Sequence, residues 1–90
     1  MNKKPEKKNL SRFASLDLHG VVEDEVFDLV DRFLSKQSNS GGTQVRIMPG
    51  KGKGIVKKKL IEYLRLANYS WTYEKLPNGS QNEGVLVIHL

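Results

Sequence analysis

The chain has 90 residues, enough for one domain with a small core, because a chain of this size buries only roughly 60–65% of its unfolded surface. Its content of 38% hydrophobic and 28% charged residues is typical of a globular protein and excludes a mostly disordered chain. The lack of cysteine excludes a disulfide scaffold, a thiolate metal site and a cysteine nucleophile, and no apolar run reaches the ~20 residues of a membrane span.

The net charge of +5 is unevenly distributed. Residues 1–12 hold five basic residues and one acidic residue, with almost no apolar ones, and are predicted to be a disordered basic tail before a domain at 13–90. The segment 21–37 holds five acidic and two basic residues, whereas 46–65 holds seven basic residues and one acidic residue. This division gives the domain a directional field that bears on its partners. Because no signal-peptide pattern is visible, we expect a cytoplasmic protein without membrane contact.

The spacing of apolar residues predicts six elements in the order β-α-β-α-β-β. Period-two alternation marks strands, and apolar residues at every third or fourth position mark amphipathic helices. Glycine, proline and asparagine clusters separate the elements, and Asn68 is the predicted C-cap of the second helix. The elements are a strand at 13–19, a helix at 22–36, a strand at 44–48, a helix at 55–66, and strands at 69–74 and 85–90.

This order predicts an α/β two-layer sandwich with a four-stranded mixed sheet and both helices on one face. Strand–helix–strand units join parallel strands by right-handed crossovers, and the last two strands can pair as a hairpin. The last strand is apolar on both faces, which places it between the second and third strands. The residues expected on the open face of the sheet are Asp17, His19, Arg46 and Met48.

Asp17 and His19 form the first candidate site. Two positions apart at the end of a strand, a carboxylate and an imidazole project to the same side, close to where α/β proteins place ligands. Their chemical use would be proton transfer near neutral pH, with Asp17 orienting or polarising His19 or a water. The alternative is that Asp17 only tethers the following loop by hydrogen bonds and that His19 only packs.

The passage from Met48 to Ile55 is the second candidate, because a glycine-rich loop leads directly from a strand into a helix. Glycines let backbone N–H groups turn toward an anion, and the helix N-terminus adds partial positive charge. Lysines at a helix start oppose the helix dipole, so their accumulation there favours phosphate contact over a merely solvated loop. The spacing fits neither a Walker A loop nor a dinucleotide fingerprint.

The aromatic stripe Tyr69, Trp71 and Tyr73 could stack on bases, but its period of two favours packing beneath the helices. His89 could approach His19 as a metal pair, but the sequence offers no dedicated third ligand.

The segment Leu16-Asp17-Leu18-His19-Gly20, the acidic helix after it, the strand ending in a glycine-rich loop and the second helix resemble the Smr (small MutS-related) domain. The resemblance covers about residues 16–90. It implies a fold similar to the C-terminal domain of bacterial translation initiation factor three, with four mixed strands and two helices. It also implies nucleic-acid binding, with nicking endonuclease or endoribonuclease activity in several members.

The chain departs from the family pattern at three positions. Pro49 stands where the family loop commonly has a histidine, and Lys53 stands where it has a threonine. Val22 replaces the usual hydroxyl residue, which leaves the first helix without a side-chain N-cap. Losing the imidazole removes a group that transfers protons or orients phosphate, so binding carries over more securely than cleavage.

We therefore expect a domain that binds DNA or RNA mainly through phosphates and cleaves phosphodiester bonds with Asp17 and His19. The alternative is a non-catalytic nucleic-acid-binding module, or a protein-interaction module that uses the acidic first helix. No tightly bound cofactor or metal is expected, although one carboxylate with substrate phosphates could recruit Mg²⁺. The predicted phosphate-binding residues are Arg46, Gly50, Lys51, Gly52, Lys53, Gly54, Lys57 and Lys58.

Overall fold

The computed structural model describes residues 13–50 and 54–90. The predicted tail at 1–12 lies outside these residues, so the boundary at residue 13 stays a prediction. The order β-α-β-α-β-β is confirmed, with a short 3-10 turn added before the first helix. The elements are β1 (Ser15–Asp17), the 3-10 turn (Glu23–Glu25), α1 (Val26–Asn39), β2 (Gln44–Met48), α2 (Ile55–Leu66), β3 (Ser70–Lys75) and β4 (Gln81–His89).

The four strands form one mixed sheet in the order β1-β2-β4-β3. β1 and β2 are parallel, as the crossover through α1 requires, and β4 runs antiparallel to both of its neighbours. The prediction that the last strand lies between the second and third strands is confirmed. Its two apolar faces explain this placement, since a central strand is covered on more sides than an edge strand.

Both helices cover one face of the sheet, and they supply half of the fully buried core residues. Val45 lies opposite Ile88 and Ile47 opposite Leu86, so these four side chains share the face beneath the helices. The core has no buried polar or charged side chain among the described residues. The fully buried core cluster consists of Leu18, Val26, Val30, Leu34, Val45, Ile47, Leu60, Leu64, Leu86 and Ile88.

β4 begins four residues earlier than predicted, because a segment expected to be a turn pairs with the end of β3. Asn82 lies opposite Glu74, and the register shifts between Tyr73 and Glu74 where the strands bulge. The side chain of Asn82 accepts the N–H of Gly84 at 3.0 Å, a local bond that stabilises the irregular stretch. Polar residues and glycine are depleted in strands, which is why the sequence pattern favoured a turn here.

α1 also differs from its prediction at both ends. No side chain caps its N-terminus, as the valine at position 22 led us to expect, and the first residues form the 3-10 turn instead. The helix continues to Asn39, where the N–H of Gly41 donates to the carbonyl of Ser38 and the N–H of Gly42 to that of Gln37. These two bonds form a Schellman motif, which turns a segment of loop-like composition into a helix end.

α2 matches its predicted limits of 55–66, whereas its C-cap is Ala67, one residue before the predicted Asn68. Asn68 has a positive φ of 64°, and the N–H of Tyr69 donates to the carbonyl of Leu64 at 2.9 Å. Across the helices, the rings of Phe27 and Tyr63 meet edge to face with centroids 5.4 Å apart. This ring contact packs α2 against α1 and so helps to position the N-terminus of α2.

Candidate functional site

The carboxyl ends of β1 and β2 lie side by side, so the two candidate loops start from one edge of the sheet. Asp17 is in register with Met48, and the N–H of Leu18 donates to the carbonyl of Met48 at 2.8 Å. This is the position at which parallel α/β sheets present ligand-binding loops. The structure thus brings together two motifs separated by about thirty residues of sequence.

The first loop is a tight turn that holds His19 at the surface. The N–H of Val21 donates to the carbonyl of Leu18 at 3.0 Å, and Gly20 has a φ of 79°, the positive angle that the third residue of a type II turn requires. The turn ends β1 at Asp17, two residues before the predicted end at 19, whereas Leu18 is buried in the core.

Asp17 accepts the backbone N–H of His19 through its Oδ1 atom at 2.9 Å. The tether considered from the sequence is therefore present, and it fixes the start of the turn. Both side chains are exposed. Among the described residues, the second carboxylate oxygen of Asp17 and the imidazole of His19 have no hydrogen-bond partner. The geometry therefore leaves one oxygen and one imidazole available for chemistry beyond the tether.

The second loop approaches His19 at Gly50. Gly50 has a φ of 87°, and a Cβ atom at this position would lie 3.4 Å from Nδ1 and 3.5 Å from Cα of His19. The positive backbone angle favours glycine here, and a Cβ would be in van der Waals contact with His19. Pro49, just before it, is buried. The predicted residues Lys51, Gly52 and Lys53 lie outside the described residues.

The loop leads into the N-terminus of α2. Gly54 is the N-cap with a φ of 80°, and no side chain caps the helix. The first backbone N–H groups of a helix lack intrahelical partners and carry partial positive charge, so they can bind an anion such as a phosphate. The first turn has no acidic residue that would compete for these groups.

Lys57 and Lys58 were both predicted to bind phosphate, but they differ in whether the protein already binds their ammonium groups. Lys57 donates from Nζ to the carbonyl of Glu83 at 3.2 Å and lies over the ring of Tyr73, 4.7 Å from its centroid. Lys58 is exposed and has no ion pair, hydrogen bond or aromatic partner among the described residues. Of the two ammonium groups, that of Lys58 is available to a ligand without giving up a protein contact.

Arg46 lies on the open face of the sheet, as expected, but it is already paired. Its Nε is 2.8 Å from Oε2 of Glu74, and its Nη1 donates to the hydroxyl of Ser15 at 3.4 Å. The sequence did not indicate Glu74 as a partner, because the two residues are 28 positions apart and meet only across the sheet. His89 does not approach His19 as a metal partner; it lies opposite Gln44, whose side-chain nitrogen is 3.0 Å from its Nδ1.

The aromatic stripe belongs to the core, as its period predicted. Tyr69, Trp71 and Tyr73 are partly buried and pack against the core cluster. Trp71 and Tyr73 lie opposite Ile88 and Leu86 in β4, on the face beneath the helices.

Two further features bear on the class of site. The part of the chain that the structure describes contains no group of three or more histidine or acidic side chains that could hold a metal ion. Within the same residues, no helix has the length and apolar character needed to cross a membrane.

A comparison with family models identifies the family of this chain. A family model described as Smr domain matches residues 16–90, which include both loops and all seven elements except the start of β1. The chain belongs to the Smr domain family. The resemblance noted from the sequence is confirmed, together with the two-layer α/β fold that it implied.

The curated relatives of this Smr domain include proteins named Endonuclease MutS2. That of Symbiobacterium thermophilum is 36% identical over 75 residues, which cover 83% of this chain and 10% of the relative. That of Exiguobacterium sibiricum is 34% identical over 77 residues, which cover 86% of this chain and 10% of the relative. The chain therefore spans about a tenth of the length of the curated relatives it matches.

Two solved structures have the same fold. The Smr domain of Thermus thermophilus MutS2 superposes with a TM-score of 0.70 at 28% identity, covering 84% of this chain and 95% of that domain. YdaL from Escherichia coli, a stand-alone small MutS-related protein, superposes with a TM-score of 0.73 at 23% identity. The latter match covers 89% of this chain and 66% of YdaL and supports the fold alone.

Proposed function

We propose that this Smr domain binds DNA or RNA through its phosphates and cleaves the phosphodiester backbone where its two loops meet. The observation that carries the proposal is the close approach of the His19 imidazole to Gly50, where an added Cβ would lie 3.4 Å from Nδ1, so that a proton-transfer group stands beside a glycine-rich loop. The names of the MutS2 relatives support an endonuclease. We expect the activity in the cytoplasm, as the sequence led us to predict.

Phosphate binding is assigned to the glycine-rich loop and the start of α2. The N–H groups that follow Gly54 supply directional donors, and Lys58 supplies a cation one turn further along. The loop residues Lys51, Gly52 and Lys53 belong to the same proposal. Donors fixed in this way also stabilise the charge that builds on the phosphate oxygens during cleavage.

Proton transfer is assigned to His19. In hydrolysis, a water oxygen attacks phosphorus, the bond from phosphorus to the leaving sugar oxygen breaks, and one proton moves from the water while another reaches the leaving oxygen. A neutral imidazole can take the first proton, and an imidazolium can give the second. Asp17 positions the turn that carries this imidazole.

We expect no resident metal ion. A cation that enters with the substrate phosphates could bind the carboxylate of Asp17, whose second oxygen is not used by the described residues. Cleavage measured with Mg²⁺ and with a chelator would determine whether such a cation takes part.

Pro49 gives a reason to expect slow cleavage. The family loop commonly offers a histidine at this position, whereas the proline ring is buried and has no group that transfers a proton. We expect Pro49→His to raise the cleavage rate, provided that circular dichroism shows the variant to be folded. An unchanged rate in a folded variant would mean that the missing imidazole does not limit this domain.

The decisive test is a nuclease assay on structured DNA and RNA with the wild type and His19→Ala. His89→Ala is the matched control, because it removes the only other histidine, which lies at the other end of β2 beside Gln44. We expect cleavage by the wild type and the control and its loss in His19→Ala. Cleavage at the full rate in His19→Ala would remove this site from consideration.

Binding is tested by titration with nucleic acid at two salt concentrations. Lys51→Ala with Lys53→Ala should weaken binding to unrelated sequences and flatten its salt dependence, because fewer counterions are released. Lys36→Ala with Arg65→Ala is the matched control, since these two exposed cations lie in the last turns of α1 and α2, at the far end of the helices from the loop. Absence of binding at low salt would favour the protein-interaction module instead.

A further inference from the structure

A groove of about 380 Å³ lies between the 3-10 turn and α2, and we name it the α2 groove. Its volume falls within the roughly 300–1,000 Å³ of small-molecule sites, and it is open on one side. The residues that line the α2 groove are Glu23, Ile55, Lys58, Lys59 and Glu62.

The α2 groove adjoins the proposed site through the chain itself. Glu23 comes three residues after Gly20, which closes the turn that holds His19. Ile55 comes directly after Gly54, the last residue of the glycine-rich loop. A nucleic-acid strand with a phosphate at the loop would therefore carry its neighbouring base toward this groove.

The side chains of the α2 groove divide into satisfied and unsatisfied groups. Lys59 and Glu62 lie 3.9 Å apart as an ion pair, and Lys59 also lies 5.3 Å from the centroid of the Phe27 ring. Glu23 and Lys58 have no partner among the described residues. The groove thus offers one carboxylate that can accept hydrogen bonds and one ammonium group that can donate them, and neither is used by the described residues.

Ile55 supplies the apolar part of the groove. Its side chain is 48% exposed at the first position of α2, although most apolar residues of that helix turn toward the core. An exposed apolar surface next to charged groups suits a flat ring with polar edges, because the ring loses water from its face and keeps hydrogen bonds at its rim.

We propose that the α2 groove binds an unpaired cytosine base through its exocyclic amino group, and this inference rests on the proposed function. Glu23 accepts a hydrogen bond from the amino group, the pairing that carboxylates make with cytosine. Ile55 contacts the face of the base, and Lys58 contacts the adjoining phosphate. A carboxylate beside a phosphate site would only repel the backbone, so its placement there fits recognition of a base. The base must be unpaired, because pairing occupies its amino edge.

The test compares the binding of short labelled oligonucleotides that differ only at this amino group, at one fixed salt concentration. Oligocytidylate and oligouridylate serve as the RNA pair, and deoxycytidine and deoxyuridine oligomers serve as the DNA pair. The wild type should bind the cytosine member at least about tenfold more tightly, the contribution of roughly one hydrogen bond to a charged group. Ile55→Ala should weaken the binding of both members by about threefold, since it removes apolar contact.

Glu23→Ala should abolish the preference for cytosine. Glu25→Ala is the matched control, because it removes the same charge from the same 3-10 turn but does not line the groove. It should retain the preference even if both variants bind nucleic acid more tightly through the lost negative charge.

The outcomes separate the two proposals. Equal binding of cytosine and uracil oligomers by the wild type would overturn the assignment of the groove while nucleic-acid binding stands. The same conclusion would follow if Glu23→Ala kept the preference or if Ile55→Ala bound as the wild type does. Absence of binding to any oligomer at low salt would overturn the groove together with the proposed function.

Discussion

Two sets of polar side chains outside the core differ in their partners: those on the open face of the sheet and those at the carboxyl edge of β1 and β2. On the open face they bind one another: Arg46 pairs with Glu74, and the second carboxylate oxygen of Glu74 accepts a hydrogen bond from Asn82. At the edge, the backbone is tightly bonded, whereas the His19 imidazole and the Lys58 ammonium group have no partner among the described residues.

This difference separates charges that stabilise the fold from charges that can serve a ligand. A polar group already paired within the protein must break that pair before it binds anything else, and the loss offsets much of the gain. An unpaired group beside a rigid backbone has no such cost. By this criterion Lys58 is a stronger phosphate ligand than Lys57, which is held by Glu83 and Tyr73.

The largest expected effect distinguishes the two roles of Asp17 at the edge. Asp17→Asn keeps an oxygen that can accept the N–H of His19, whereas Asp17→Ala removes it. If the carboxylate charge takes part in chemistry, both variants should cleave at least about 10²-fold more slowly, in line with general acid–base contributions. Single-turnover cleavage rates measure this effect, and nucleic-acid affinity should stay nearly unchanged.

The contrary result is equally informative. Wild-type cleavage by Asp17→Asn together with loss in Asp17→Ala would assign Asp17 to the tether alone. Arg46→Met serves as the comparison from the open face. The sequence predicted that Arg46 binds phosphate, but its guanidinium pairs with Glu74, so we expect neither cleavage nor phosphate binding to change.

The second prediction concerns the contact between the loops. Gly50→Ala introduces a Cβ about 3.4 Å from Nδ1 of His19 in a backbone with positive φ. It should lower the free energy of unfolding by about 1–2 kcal/mol. It should also lower cleavage by roughly tenfold through the displaced imidazole.

Gly41→Ala is the matched control, because its φ is 85° and a Cβ there would meet nothing within 4 Å. It should cost similar stability and leave cleavage unchanged. Equal activity of the two variants would show that the space beside His19 at Gly50 is not needed to position the imidazole.

The third prediction tests the open face. The side chains of Arg46 and Glu74 are only about a quarter exposed, so their ion pair is screened less than a surface pair. A double-mutant cycle with Arg46→Met and Glu74→Gln should give a coupling free energy of about 1 kcal/mol, at the upper end of exposed pairs. Urea unfolding measures it, and the cycle for the exposed pair of Asp28 and Arg32 should give about half as much or less. A coupling near zero would contradict the assignment of these charges to stability.

The sequence predicts the fold well where the signal is local. The apolar stripe of α2 and the glycine before it define the helix at 55–66, and the two-faced apolar run from Val85 identifies the central strand. The extra length of β4 was not predicted, because its first residues are polar and pair only through the bulge beside Glu74. That pairing depends on the partner strand, so the residues of the segment itself do not indicate it.

The same distinction applies to the site. Asp17, His19 and the glycines stand in compact motifs, so residue type and spacing indicate them. The ion pair of Arg46 with Glu74 and the bond from Lys57 to the carbonyl of Glu83 join residues 28 and 26 positions apart. No spacing rule relates such residues, and a backbone carbonyl has no sequence identity at all. The sequence therefore identifies the charged side chains that are candidates for the site, but it does not show which of them are already paired within the protein.

The smallest expected effect lies between the helices. Burial raises the pKa of Tyr63, and the hydrogen bond that its hydroxyl donates to Asp31 at 2.6 Å raises it further. In the unfolded chain, tyrosine loses its proton near pH 10, whereas the folded protein retains it. The stabilising effect is therefore complete below about pH 10 and is lost as the pH rises toward the raised value.

Tyr63→Phe removes this hydrogen bond but keeps the ring that packs on Phe27. At neutral pH it should lower the free energy of unfolding by about 0.5–1 kcal/mol, the net value of one partly exposed hydrogen bond. Above pH 10 its stability should decline less steeply than that of the wild type, because position 63 no longer titrates in the unfolded chain. Tyr73→Phe is the control, since the hydroxyl of Tyr73 has no partner among the described residues and its ring remains under Lys57. Parallel alkaline unfolding curves for Tyr63→Phe and the wild type would refute the linkage, because proton retention by Tyr63 is what makes the wild-type curve steeper.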